Sequence, residues 1–107
     1  MNQGDVYWHT LKAPDKRRPV VVLTRDSAIP YLTAVTVAPI TSTIRSGPSQ
    51  VMLTEADGLL FECVANCHNL QTVPKSGLIA RITHLDLDKL RELHEAVAFA
   101  LGFDATE

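Results

Sequence analysis

Apolar positions recur at two different periods along this chain, and the change between them divides it. Up to about residue 84 they alternate with polar residues or form short runs, the pattern of strands. Residues 4–9 place Val6 and Trp8 on one face and Tyr7 and His9 on the other, which predicts a half-buried strand with the second pair outward. LKAPDKRR is polar, holds Pro14 and is expected to be a loop. PVVVLT, residues 19–24, predicts a buried strand starting at Pro19, where the missing N–H does least harm. Asp26 and Ser27 can cap a short helical turn before Pro30. Residues 33–40 read as the next strand, with Pro39 making its end an edge or a bulge. After the turn cluster Ser46-Gly47-Pro48-Ser49, residues 50–53 predict a short strand leading to a turn at Asp57-Gly58. Residues 60–66 and 77–83 read as two more strands, joined by CHNLQTVPKS as an irregular linker.

From Asp86 the period becomes helical. Asp86 can cap the helix, Leu90, Leu93, Val97 and Leu101 share a face, and Gly102 ends it. Lys89, Arg91, Glu92 and Glu95 fall on the solvent side. Five or six short strands and one C-terminal helix give a mainly β fold, a small curled sheet or barrel, expected as one domain over residues 1–107.

Composition narrows the setting. In 107 residues that are 46% hydrophobic, a core can form without disulfide or metal staples. The longest uncharged stretch, residues 28–44, is broken by Pro30 and Pro39 and carries four threonines and Ser42, so no spanning helix is expected. MNQGDVYWHT lacks the basic, apolar and small-residue succession of a signal peptide, and the cytoplasm is the expected location. Cys63 and Cys67 read as reduced core thiols. The formal net charge of -2 argues against a broadly cationic nucleic-acid binder. Its distribution is uneven, however: residues 1–50 carry six Lys and Arg against three acidic residues, and residues 51–107 carry four against nine. That split suggests a local basic site on an acidic body, or a solvated surface of uneven charge.

Two segments can carry chemistry. Lys16-Arg17-Arg18 stands where a loop meets a rigid strand, and a guanidinium held there offers a fixed fork of donors to a phosphate. The same cluster also suits a charged flank that guards an aggregation-prone VVVL strand. In APITSTIR, residues 38–45, Thr41, Ser42 and Thr43 follow a proline, and hydroxyls and amides in such a turn can hold a phosphate oxygen, though they are also ordinary turn residues. His9, His68, His84, His94, Cys63 and Cys67 do not have the spacing of a zinc site, so no metal or other cofactor is expected. No GxSxG, P-loop or HExxH occurs.

Taken in order, GDVYW at 4–8, RRPVVVLTRD at 17–26, VAPITSTIR at 37–45, LQTVPKSGL at 70–78 and RITHLD at 81–86 resemble the successive signatures of the MazF/PemK/Kid toxin family. The resemblance implies an SH3-like barrel of the MazF/CcdB type with a C-terminal helix, acting as a homodimer and restrained by a cognate antitoxin. It also implies metal-independent, sequence-selective cleavage of single-stranded RNA (messenger, transfer or ribosomal), in which the ribose 2′-hydroxyl attacks the adjacent phosphorus to leave a 2′,3′-cyclic phosphate and a 5′-hydroxyl. The arginine of the family's RPVVV strand falls on Arg18 and the threonine of its APIT turn on Thr41. Arginine is a poor general base, so charge stabilisation is the safer role for Arg18. Lys16, Arg17, Arg25, Ser42, Asn69, Thr72 and Lys75 fall in or beside the matching blocks as RNA contacts. Asp5 joins them as an RNA contact or as part of the site's architecture, and Tyr7 and His9 are placed to stack on bases. The chain departs from the family pattern in its short first loop, LKAPDKR, and in His68, where an acidic residue is common. The alternatives are a CcdB-like toxin that binds DNA gyrase without chemistry, and a non-catalytic SH3-like nucleic-acid-binding module.

Overall fold

In the computed structural model, residues 1–10 and 17–104 are described. Seven strands lie among them: β1 (Asp5–Thr10), β2 (Arg17–Val22), β3 (Ala34–Thr41), β4 (Gln50–Leu53), β5 (Cys63–Asn66), β6 (Gln71–Pro74) and β7 (Arg81–His84). One helix, α1 (Leu87–Leu101), follows. The strands form a curled half-barrel sheet in the order β4-β5-β3-β2-β1-β7, with β6 also paired to β3 and every pairing antiparallel.

The valine run explains the centre. Val20, Val21 and Val22 are all buried although their side chains alternate between faces, because each face of the sheet is covered. Val21 joins Val6, Ala38, Ile40, Leu53, Cys63, Leu85 and Leu93 in a core closed by α1. Val20 and Val22 join Ile29, Val35, Val37, Val73 and Leu78 in a second core. Tyr7 packs against that second cluster, so it does not stand outward as the alternation suggests.

GDVYW has a structural reason at its first two positions. Gly4 has φ +92°, a conformation that side chains with a Cβ rarely adopt, and a Cβ there would run into Leu90 of α1. Asp5 is buried at 3% exposure; its Oδ2 accepts from the Asn2 amide at 2.8 Å and its Oδ1 meets His84 Nδ1 at 2.8 Å. Arg81 lies 3.6 Å from the same oxygen. Asp5 therefore fastens the chain start to β7.

Several boundaries differ from the pattern. Arg17 and Arg18 belong to β2 and not to the preceding loop, and Pro19 sits inside the strand opposite Trp8. The turn before Leu32 is a 3-10 turn over Ile29–Tyr31 that includes Pro30; its cap position is Ala28, while Asp26 Oδ1 accepts from the Gln3 amide at 2.6 Å. The strands expected from residues 60 and 77 begin at Cys63 and Arg81. Part of the expected irregular linker is a strand: β6 pairs with β3 from Ala34↔Pro74 to Val37↔Gln71. Because β5 pairs Ile40 with Ala65, the ladder beside β3 resumes three residues later than continuous pairing would allow. The extra residues bulge out at Cys67–Leu70, and Asn66 Oδ1 supports the bulge by accepting from the His68 amide at 3.2 Å.

Helix α1 follows its sequence closely. Asp86 Oδ1 accepts from the Lys89 amide at 3.0 Å, and the Gly102 amide closes the C-terminus. Leu93 and Ala96 are buried, with Leu90, Val97 and Ala100 packed beside them. Leu101 lies about 80° around from Leu93 at 3.6 residues per turn and is half exposed, so Ala100 takes its expected place. No helix among the described residues is long and apolar enough to cross a membrane.

Candidate RNA-cleavage site

Adjacent strand ends build the site. β1 and β2 pair His9 with Arg18, and β2 and β3 pair Val20 with Pro39. Arg18 and Thr41 stand two residues further out on β2 and β3, on the same face as that last pair. They share a cavity of about 390 Å³ with His9, Thr43, Arg45, Gln50, Asn66, Asn69 and Gln71. The bulge between β5 and β6 thus supplies an amide-bearing wall. Thr41 Oγ1 accepts from the Thr43 amide at 3.2 Å, and Gln50 Oε1 accepts from the Arg45 amide at 2.8 Å, which together shape the segment after β3.

The described lining holds two guanidiniums, two hydroxyls, four carboxamides and one imidazole, and no carboxylate. A phosphate in it would meet cationic donors without a competing anion, while the amides can address base edges. Of the described cations of the basic half, Arg18 and Arg45 line this cavity.

A second cavity, about 230 Å³ and mostly apolar, lies on the opposite face of the same strand ends. Trp8, Arg17, Ile40, Ser42, Leu60, Phe61 and Cys63 are among its walls, and Thr41 borders both cavities. The Arg17 guanidinium carbon lies 4.6 Å from the Trp8 ring centroid, a cation–π contact. Burial pushes the Cys67 thiol from 9.0 up to about 11. The Cys63 thiol is raised too, first by burial and then by the negative charge of Asp57. Neither is an activated nucleophile.

The structure thus gathers Arg18, Thr41, His9 and Asn69 in one cavity and moves Arg17 and Ser42 to the other. Tyr7 is packed in the second core. Arg25 and Thr72 are exposed and line neither cavity. Lys75 spends its ammonium on the Ile29 carbonyl at 2.8 Å and also lies outside both. Lys16 falls outside the described residues. Pattern reading missed Arg45, Gln50, Asn66 and Gln71. Arg45 closes the very segment singled out for its hydroxyls, which was its available signal; the three amides become neighbours only through strand pairing. Among the described residues no group of three or more His, Cys, Asp or Glu is placed to hold a metal ion.

The class defined by these features is a mainly β half-barrel with one C-terminal helix and an arginine- and threonine-lined cavity at its strand ends. Residues 2–101 match the family model described as PemK-like, MazF-like toxin of type II toxin-antitoxin system, and the chain belongs to this family. Among its relatives, Endoribonuclease MazF3 of Mycobacterium tuberculosis is 41% identical over 84% of this chain and 87% of its own length. Probable endoribonuclease MazF5 of the same species is 36% identical over 92% and 91%. The solved structure of the Mycobacterium tuberculosis toxin MazF-mt6 superposes with a TM-score of 0.84 at 37% identity, covering 94% of this chain and 98% of that one.

Proposed function

We propose that this protein is the toxin of a type II toxin–antitoxin system and an endoribonuclease that cleaves single-stranded RNA at the Arg18–Thr41 cavity. The observation that carries this reading is the convergence of Arg18, Thr41 and Arg45 on one cavity with no carboxylate among its described lining residues, in a family whose curated relatives are named endoribonucleases. In the proposed reaction the ribose 2′-oxygen forms a bond to the adjacent phosphorus as the bond to the 5′-oxygen breaks. The 2′-hydroxyl gives up its proton to solvent and the leaving 5′-oxygen gains one, leaving a 2′,3′-cyclic phosphate and a 5′-hydroxyl. Arg18 offers paired donors to the charge growing on the phosphate oxygens, and Thr41 holds one of them. No step requires a bound metal.

The same reading includes one domain over 1–107, a homodimer, a cognate antitoxin partner and a cytoplasmic location. Asn69 and His9 contact the RNA within the cavity, and Arg17 and Ser42 guide the strand on the other side of Thr41. Arg25, Thr72, Lys75 and Tyr7 have no support from the cavity geometry. The test is a single-stranded RNA and the same strand with a 2′-deoxy sugar at the mapped cleavage position. The reading expects cleavage of the first only; equal cleavage of both removes the 2′-hydroxyl as nucleophile. Inhibition of DNA gyrase with RNA left intact replaces the nuclease with a protein-binding toxin.

A further inference from the structure

His9 holds a position that the arginine and threonine do not explain. It is directly opposite Arg18 in the β1–β2 ladder and lines the same cavity. Its Nδ1 is buried and has no hydrogen-bond partner among the described residues. The ring lies beside Gly77, where an added Cβ would stand 3.8 Å from His9 Cδ2.

A neutral imidazole carries one proton and one lone pair. With the proton on Nδ1, a donor would be buried with no acceptor, and orphaned buried N–H groups are rarer in folded proteins than unsatisfied acceptors. The favoured tautomer therefore has its lone pair on Nδ1 and its proton on Nε2, which, with Nδ1 buried, is the ring nitrogen left to serve the cavity that His9 lines. A histidine acting as a proton relay normally has its far nitrogen held by a carboxylate or carbonyl that fixes the opposite tautomer. His9 has no such partner among the described residues. Among the described residues, the charged groups lining this cavity are Arg18 from β2 and Arg45 from the segment after β3, and Arg81 of β7 stands opposite Tyr7 in the ladder.

We propose that His9 is a further catalytic residue, a hydrogen-bond donor whose Nε2–H completes, with Arg18 and Thr41, the set of donors around the RNA phosphate. This rests on the ribonuclease reading and sharpens it. His9 contributes a fixed donor to the charge that develops on phosphate oxygens, and neither stacks on a base nor carries a proton through the reaction.

Two measurements test it. Long-range proton–nitrogen NMR of the wild-type protein at mildly alkaline pH reports which His9 nitrogen carries the proton, first free and then with an uncleavable 2′-fluoro single-stranded oligoribonucleotide. An Nε2–H tautomer whose signals shift on adding the oligomer is expected. An Nδ1–H tautomer, or signals that do not move, overturns the proposal. For cleavage, His9→Phe keeps the ring but removes the donor, whereas His9→Gln keeps an N–H at similar reach. The Phe variant is expected to lose about a hundredfold in kcat with KM little changed, and Gln to stay within about tenfold of wild type with an unaltered pH profile. Wild-type activity in the Phe variant overturns the assignment; so does a Gln variant that loses as much as Phe or loses one limb of the pH profile. If wild-type protein cleaves no RNA, the ribonuclease reading fails, and the NMR arm still decides the donor assignment.

Discussion

Arg18 illustrates how little a residue's neighbours in sequence say about its task. Within Lys16-Arg17-Arg18 the three cations are equivalent, yet strand alternation sends Arg17 over Trp8 and Arg18 into the polar cavity. The alternation was readable once both arginines were placed in the strand, but the run of charge suggested a loop. Arg18 is exposed at a strand end, so Arg18→Ala should leave the melting temperature within about 1–2 °C of wild type while cleavage falls by about a hundredfold or more. Thermal melts and single-turnover assays on the same samples separate the two effects. The buried thiols give a pH prediction. The Cys67 thiol is raised from 9.0 to about 11, so between those values the folded chain keeps a proton that the unfolded chain releases. Stability is therefore present below pH 9 and is lost as pH climbs toward 11. Replacing Cys67 with alanine should flatten that alkaline loss in a series of melts, despite a lower stability at neutral pH.

At the level of elements, α1 was legible because its signals are local: a capping aspartate, a 3.6-residue apolar period and a closing glycine all lie within its own sequence. β6 was not legible, because only Val73 of its four residues is buried and the strand is defined by pairing with β3, far away in sequence. The bulge that precedes it owes its existence to the same non-local pairing, which is why the amide wall of the cavity escaped pattern reading. Two substitutions test the framework around the site. Asp86→Ala removes the cap to the Lys89 amide and should cost about 1 kcal/mol in denaturant unfolding. Gly4→Ala forces a Cβ toward Leu90 at a positive φ and should cost about 1–3 kcal/mol by the same measurement. A Gly4→Ala protein as stable as wild type would mean that the start of β1 and α1 do not meet as described.

For the whole molecule, the net charge of -2 matters more than the fold class. A protein with this balance has no general electrostatic pull on RNA, so binding rests on the few cations placed at the strand ends. With Arg17, Arg18 and Arg45 engaging phosphates, the slope of log affinity against log salt for an uncleavable single strand should be about −2. The curled sheet was recoverable from the spacing of short strands and turns, and the ordered blocks pointed to the family. Which of the proposed RNA contacts share a cavity was recoverable only from three-dimensional pairing. Whether this cavity cleaves RNA is decided by end mapping. Purified protein is incubated with single-stranded RNA in EDTA beside Arg18→Ala. Discrete cuts with 2′,3′-cyclic phosphate and 5′-hydroxyl ends are expected from wild type, and the variant should fail to make them at a comparable rate; intact RNA with wild type, or equal cutting by Arg18→Ala, would overturn the nuclease reading.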